Sequence, residues 1–184
     1  MQPIGTLIPP DIGPQDALLT AALPDKTHVR IRPVCEQDAA AEGAFIEALS
    51  PRSRRNRFLG QMQHPSDELI QQLTKLDNVH DVAFAAVVDE GGKEKFVGVS
   101  RYSTDTTAKA CECAVTVLDD WQNKGLGTAL MKHLIEVAQS RGIKRMWSLD
   151  SAANVEMGHL ARDLAFERSQ DPDDATQVIH CLWL

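Results

Sequence analysis

Apolar residues recur at two periods along the chain, and the switches between them mark out the elements. His28 to Pro33 alternates polar and apolar residues, as a half-buried strand does. From Glu36 to Leu49 the pattern predicts a helix with Ala39, Phe45 and Leu49 on its inner face. Ser50-Pro51 then restarts the chain, because Ser suits an N-cap and Pro the first helical position. A second helix is predicted over Pro51 to Leu59, stopping at Gly60. A third begins near Ser66 and turns Leu69, Ile70, Leu73 and Leu76 inward. Val82 to Asp89 and Lys95 to Tyr102 read as strands joined by a tight hairpin at Glu90-Gly91-Gly92-Lys93. The next strand, Ala108 to Leu118, separates Cys111, Cys113, Val115 and Val117 on one face from Glu112, Ala114 and Thr116 on the other. Glu112 is the lone acid of that strand.

The period then changes to that of a helix, with Leu126, Ala129, Leu130, His133, Leu134, Val137 and Ala138 along one stripe, ending near Arg141-Gly142. Arg145 to Asp150 is a buried strand that must run parallel to the Glu112 strand, since the helix between them is a crossover connection. Ser151 to Leu164 is helical, with Met157, Leu160, Ala161 and Leu164 spaced for packing. Ala165 to Ser169 and Thr176 to Trp183 form a terminal hairpin across Asp171-Pro172-Asp173-Asp174. Residues 1–27 hold five prolines and one short helix candidate, Gln15 to Leu23. They are expected to form an arm lying on the domain or on a partner subunit, which is compatible with a homodimer. Residues 28–184 read as a single domain. The order predicts an α/β (α+β) fold, with a mixed, mostly antiparallel sheet and helices on both faces.

Composition narrows the function classes. The chain has 184 residues, 43% apolar and 24% charged, which fits one ordinary core. No apolar run approaches the roughly 20 residues that a membrane span requires. The N-terminus lacks the basic and apolar regions of a secretory signal, so the cytoplasm is the expected compartment. A net charge of −7 argues against a nucleic-acid partner and suits a cationic acceptor such as an amine or a lysine side chain. Cys111 and Cys113 have no Cys-x-x-Cys spacing and no nearby histidine pair, so no metal site is expected and the thiols read as reduced.

The most informative stretch runs from Val115 to Met131: a buried strand, a polar turn with two glycines, and an apolar helix. Glycines where a helix begins bring bare backbone amides toward an anion, best read as a pyrophosphate. A Walker loop is excluded because Lys124 precedes the glycines, and a dinucleotide fingerprint because Leu130 stands where its third Gly belongs. Gln122, Gly125 and Gly127 instead match Gln-x-x-Gly-x-Gly after a strand. This resembles the pyrophosphate loop of the GNAT superfamily of acyl-CoA-dependent N-acyltransferases. The element order from the first strand onward is similar to the GNAT fold, and Asn154 to Phe166 resembles its Asn-initiated helix, with Ala165 replacing the family's Gly.

The resemblance implies acetyl-CoA bound where the two parallel strands splay. Amides of Asn123, Lys124, Gly125, Leu126, Gly127 and Thr128 would hold its phosphates, with Gln122 in the loop motif. Backbone groups of Val117 and Leu118 would meet the pantetheine, and Asn154 would lie on the coenzyme's other side. Within the superfamily, Leu49 to Phe58, Leu73 to Asp77 and Glu112-Cys113-Ala114-Val115 look most like the acetyltransferase domain of bacterial protein-lysine acetyltransferases, which modify acyl-CoA synthetases. That likeness places Glu112, expected to be partly buried, as the general base for direct transfer to a primary amine. The tyrosine that many relatives use as general acid is replaced here by Ala161, and the only tyrosine, Tyr102, lies on another strand. Acetylation of a small amine and non-catalytic acyl-CoA binding are the competing expectations. Arg52, Arg54, Arg55 and Arg57 read as a solvated helix face, or else as a docking surface for an acidic protein or the coenzyme 3′-phosphate.

Overall fold

Eight strands form one sheet in the order β1-β2-β3-β4-β5-β6-β8-β7, and every neighbouring pair is antiparallel except β5 and β6. The structure is a computed structural model that describes residues 19–184 apart from 61 and 63. The strands are β1 (Leu19–Ala22), β2 (His28–Pro33), β3 (Asp81–Glu90), β4 (Lys93–Thr104), β5 (Ala110–Val117), β6 (Arg145–Ser151), β7 (Glu167–Gln170) and β8 (Gln177–Trp183). The helices are α1 (Ala39–Ala48), α2 (Pro51–Phe58), α3 (Asp67–Thr74), α4 (Leu126–Ser140) and α5 (Val155–Asp163). The mixed sheet with helices matches the predicted class, and the crossover through α4 makes β5 and β6 the expected parallel pair. No described helix is long and apolar enough to cross a membrane.

Three elements differ from expectation. Leu19 to Ala22 is a strand paired with β2, not the end of a helix from Gln15; residues 15–18 lie outside the described residues. Backbone pairing along an open sheet edge decides a four-residue segment that is too short to hold a helical turn pattern. Helix α2 ends one residue early because Leu59, ahead of Gly60, takes the left-handed conformation at φ 49°. Helix α5 begins only after Asn154 caps it, since β6 runs on to Ser151 in pairing with β8.

The two faces of the sheet are covered differently. Ser100 donates its hydroxyl hydrogen to the Leu130 carbonyl, and Leu126, Leu130 and Leu134 of α4 are buried on that face. On the opposite face Arg101 reaches Glu42 of α1 at 2.9 Å and the Leu73 carbonyl of α3 at 3.3 Å. Strand β3 lies between both layers, with Ala83, Phe84, Ala85 and Ala86 all buried, as its unbroken apolar run requires. Arg101 opposes Ala114 and Ser103 opposes Glu112, so strand alternation puts Glu112 on the face covered by α1 and α3.

Candidate active site

The parallel ladder between β5 and β6 has only three rungs, Ala110 with Arg145, Cys111 with Met146, and Glu112 with Trp147. Beyond it β5 continues to Val117 while β6 pairs only with β8. The strands therefore part just after Glu112, and backbone groups of β5 past that point face a gap. A cleft of about 610 Å³ opens there, within the usual size range of small-molecule sites, and is lined by residues from α2, β5, the β5–α4 loop, β6 and α5.

At one end of the cleft the chain turns through Asn123 at φ 58° and Gly125 at φ 83° before entering α4. Among the described residues, no backbone amide from Asn123 to Thr128 has a hydrogen-bond partner; the first one used is that of Ala129, which donates to the Gly125 carbonyl at 3.0 Å. These free donors sit at the positive end of the helix dipole, the arrangement that holds phosphate oxygens. Gln122 fixes the loop from behind, donating from Nε2 to the Val117 carbonyl at 3.1 Å and to Ser53 Oγ at 3.2 Å. Asn123, Gly125, Gly127 and Thr128 line the cleft with Gln122 and Val117. Leu118 and Leu126 are buried instead, and the Leu118 amide is used on the Val97 carbonyl at 3.0 Å. Lys124 lays its ammonium over the Trp121 ring, 5.5 Å from the centroid.

Glu112, Asp150 and Arg57 all line the cleft. Glu112 is exposed, not partly buried as expected, and has no side-chain hydrogen bond or ion pair among the described residues. Asp150, which pairs with β8 but lies beyond the ladder to β5, accepts from Ser148 Oγ at 2.6 Å and from His180 Nδ1 at 2.9 Å. Arg57 has no hydrogen bond or ion pair among the described residues, and its guanidinium lies 4.9 Å from the centroid of the Phe58 ring. Burial and the neighbouring Arg101 push its guanidinium down to about 10, against the pull of Glu42, Glu112 and Asp150, so it remains cationic at neutral pH.

The arginine-rich helix thus divides its cations among separate tasks. Arg52 crosses the mouth of the cleft to Glu156 on α5 at 2.7 Å. Arg54 donates to the Glu47 and Leu49 carbonyls, both at 3.0 Å, closing the C-terminal end of α1. Asp119 ties the start of α2 to the phosphate-type loop, accepting from the Ser50 amide at 3.0 Å, Ser50 Oγ at 2.7 Å and Ser53 Oγ at 2.9 Å. On the far wall, Asn154 lines the cleft while its Oδ1 accepts from the Met157 amide at 3.2 Å as the α5 cap. Tyr102 is buried away from the cleft, its hydroxyl accepting from Arg141 at 3.0 Å, and Ala161 is buried too. His133 packs edge-on against Phe84, whereas His159 lines the cleft.

The family model described as "Acetyltransferase (GNAT) family" matches residues 46–166, which span the flap, the cleft strands, the loop and α5. The chain belongs to the GNAT acetyltransferases. It is 47% identical over 163 residues to Acetyltransferase PA5475 of Pseudomonas aeruginosa, a match covering 89% of this chain and 88% of that one. It is similar to the crystal structure of the GNAT domain of S. lividans PAT, with a TM-score of 0.85 at 27% identity over 94% of this chain and 99% of that one. The GNAT-family acetyltransferase from Streptococcus pneumoniae shares the fold, at TM-score 0.65 and 18% identity over 85% and 99% of the two chains.

As a GNAT enzyme the chain is an acyltransferase that uses acetyl-CoA as co-substrate and an amine as acceptor. The residues present fit that co-substrate: unpartnered amides stand at the head of α4 and an unpaired strand edge runs from them to Glu112. Among the described residues no group of three or more His, Cys, Asp or Glu is placed to hold a metal ion. Cys111 and Cys113 are buried free thiols, and burial pushes Cys111 up to about 12. Sequence reasoning missed Asp150 and His180, and took Arg57 for one of four surface cations. The available signal was position: Asp150 lies near the end of the strand that parts from β5, just ahead of Asn154.

Proposed function

We propose that this enzyme transfers acetyl from acetyl-CoA to a protein lysine, on an acyl-CoA synthetase, by direct attack within a ternary complex with Glu112 as general base. The observation that carries the reading is the position of Glu112 on the last rung before β5 and β6 part, lining the cleft with no hydrogen bond or ion pair among the described residues. A lysine ammonium of pKa about 10.4 is neutral only at roughly the 0.04% level at pH 7, so the reaction requires a positioned base. Bound acetyl-CoA supplies a thioester carbonyl for attack and a thiol as leaving group.

The chain's residues do the rest. Amides 123–128 and the α4 dipole hold the phosphates, and the open edge of β5 offers N–H and C=O groups to the pantetheine arm. Asn154, whose oxygen is occupied as a cap, has its amide N–H groups left for the far side. Glu112 takes the proton from the acceptor. With Tyr102 buried and Ala161 in the usual acid's place, the thiolate regains its proton from water. The protein-lysine reading is supported by the flap motifs and by the similarity to the GNAT domain of S. lividans PAT.

The test follows free thiol release from acetyl-CoA with lysine proteins, an acyl-CoA synthetase among them, and with small amines. Glu112→Gln is expected to lower transfer to a protein lysine by about 10² or more while leaving coenzyme binding intact. Wild-type rates in the variant would remove Glu112 as base, and faster transfer to small amines would remove the protein acceptor.

A further inference from the structure

Asp150 has a feature the reaction above leaves unused. Both of its hydrogen bonds, from Ser148 Oγ and His180 Nδ1, fall on Oδ2. Oδ1 has no partner among the described residues and is not sealed from solvent, while the residue itself lines the cleft at the strand edge that faces β5 across the gap. The backing is firm: His180 and Ser148 are 1% and 2% exposed and oppose each other across β6 and β8. One carboxylate oxygen is thus clamped in the core, and the other is presented to the cleft.

The charges around it select what that oxygen meets. Asp150 and Glu112 both act on Arg57, whose guanidinium has no hydrogen bond or ion pair among the described residues. Glu42 and Arg101 behind them neutralise one another at 2.9 Å. The three cleft groups therefore carry two negative charges and one positive, which leaves a single negative charge. A second carboxylate repels phosphates and a departing thiolate, so it is misplaced for the coenzyme. It suits the one cationic reactant, a singly charged ammonium.

We infer that Asp150 is a second acceptor-binding carboxylate of the active site, and that His180 is the positioning residue that aims it. The inference rests on the transferase reading and adds to it the way the amine is oriented. An ammonium carries three N–H bonds. Glu112 removes one proton, and the electron pair this frees forms the C–N bond as the C–S bond breaks and its pair leaves with sulfur; a second proton leaves the nitrogen as the amide forms and passes through water to the thiolate. Asp150 exchanges no proton; Oδ1 accepts the N–H that the amide keeps and turns the lone pair toward the carbonyl. Such a site favours a monocationic lysine side chain over a zwitterionic amino acid, whose own carboxylate would face Glu112 and Asp150.

The experiment titrates the complex of the full chain and coenzyme A with Nα-acetyl-lysine amide by calorimetry, and measures transfer separately. Asp150→Asn is expected to weaken amine binding about tenfold or more, the scale of a charge-assisted hydrogen bond, with coenzyme A affinity within about twofold of wild type. His180→Phe is expected to raise the amine KM several-fold with kcat little changed, and His180→Gln, which can still donate to Asp150, to restore most of it. Wild-type amine affinity in Asp150→Asn overturns the inference, and so does equal loss of coenzyme and amine binding, or no amine binding by the wild-type complex. If Asp150→Asn fails to fold, unchanged amine affinity in both His180→Phe and Ser148→Ala overturns it. Weaker amine binding in Asp150→Asn, combined with no acetyl transfer by wild type, would sink the transferase reading and leave this inference standing.

Discussion

Gly98 of β4 sits beneath the first turns of α4, and Gly98→Ala tests whether close contact there sets the phosphate-type loop. An added Cβ would lie 2.8 Å from Leu130 Cδ1, 3.3 Å from Leu126 Cδ2 and 3.4 Å from the Thr116 carbonyl. Neither leucine has room to withdraw, since Leu126 is 1% exposed and Leu130 fully buried. Overpacking of this kind costs about 1–3 kcal/mol. The reduced freedom of the unfolded chain returns about 0.4–1 kcal/mol. The net loss is about 1–2 kcal/mol, a fall of about 4 °C in Tm for a domain of this size. Because Leu126 is the first residue of α4, the same displacement moves the amides at the head of the helix, so acetyl-CoA Kd should rise several-fold. The assay is thermal unfolding with and without acetyl-CoA, repeated in Leu130→Val and in the double variant. Shortening Leu130 relieves the 2.8 Å contact, so the double variant should be at least about 1 kcal/mol more stable than the sum of the singles. Unchanged Tm in Gly98→Ala, or strict additivity in the double variant, would refute the steric argument.

Three further outcomes are expected. Gly125→Ala, at φ 83° and with its Cβ 3.0 Å from Pro24 Cδ, should lower both Tm and coenzyme affinity; Gly127→Ala, whose Cβ meets nothing in the protein closer than 3.5 Å, should weaken coenzyme binding with Tm unchanged. Calorimetry beside thermal melts separates the two. Ala165 holds a left-handed φ of 63°, where an L side chain costs about 1–2 kcal/mol, so Ala165→Gly should raise the denaturant midpoint. Burial opposes ionisation of Asp77, but the amides of Asp81, Val79 and His80 and the His80 ring outweigh it and hold the carboxyl well below its usual range. A depressed carboxylate stabilises the fold above its unfolded pKa of about 3.9 and loses that contribution as pH falls through the folded value. Asp77→Ala should therefore cost about 1 kcal/mol at neutral pH, a figure discounted for a half-exposed side chain, and the gap to wild type should narrow below about pH 4 in denaturant titrations.

Elements with a clean period were legible in the sequence. The change from alternation in β5 to the three-and-four spacing of α4 located the turn between them, and the crossover rule then made β6 parallel to β5. Leu19–Ala22 was not legible, because its conformation follows from pairing with β2 rather than from its own residues. Glu42 escaped as well: an acid on α1 reads as solvent-facing until Arg101 is known to lie across from it. Asp150 looked like the polar end of a buried strand, and its importance arises only where β6 parts from β5. Charges acquire partners through tertiary packing, which hydrophobic periodicity does not record.

The same packing explains how the two sides of the cleft are held in one frame. Helix α2 carries Arg57 and Arg52 on the acceptor side, yet its N-terminus is anchored to Asp119, in the turn that leads to the phosphate-type loop. Gln122 joins the same network through Ser53 and the Val117 carbonyl. A shift of the loop must therefore pull on α2, and with it on the cation beside Glu112 and Asp150. This tie does not weaken across the neutral range. Burial opposes the Asp119 charge, but the hydrogen bonds from Ser50 and Ser53 outweigh it and hold the carboxyl below its usual value. Asp119 stays ionised down to lower pH than an unpaired aspartate, and the strength these donors gain from its charge persists wherever an acceptor amine can be attacked.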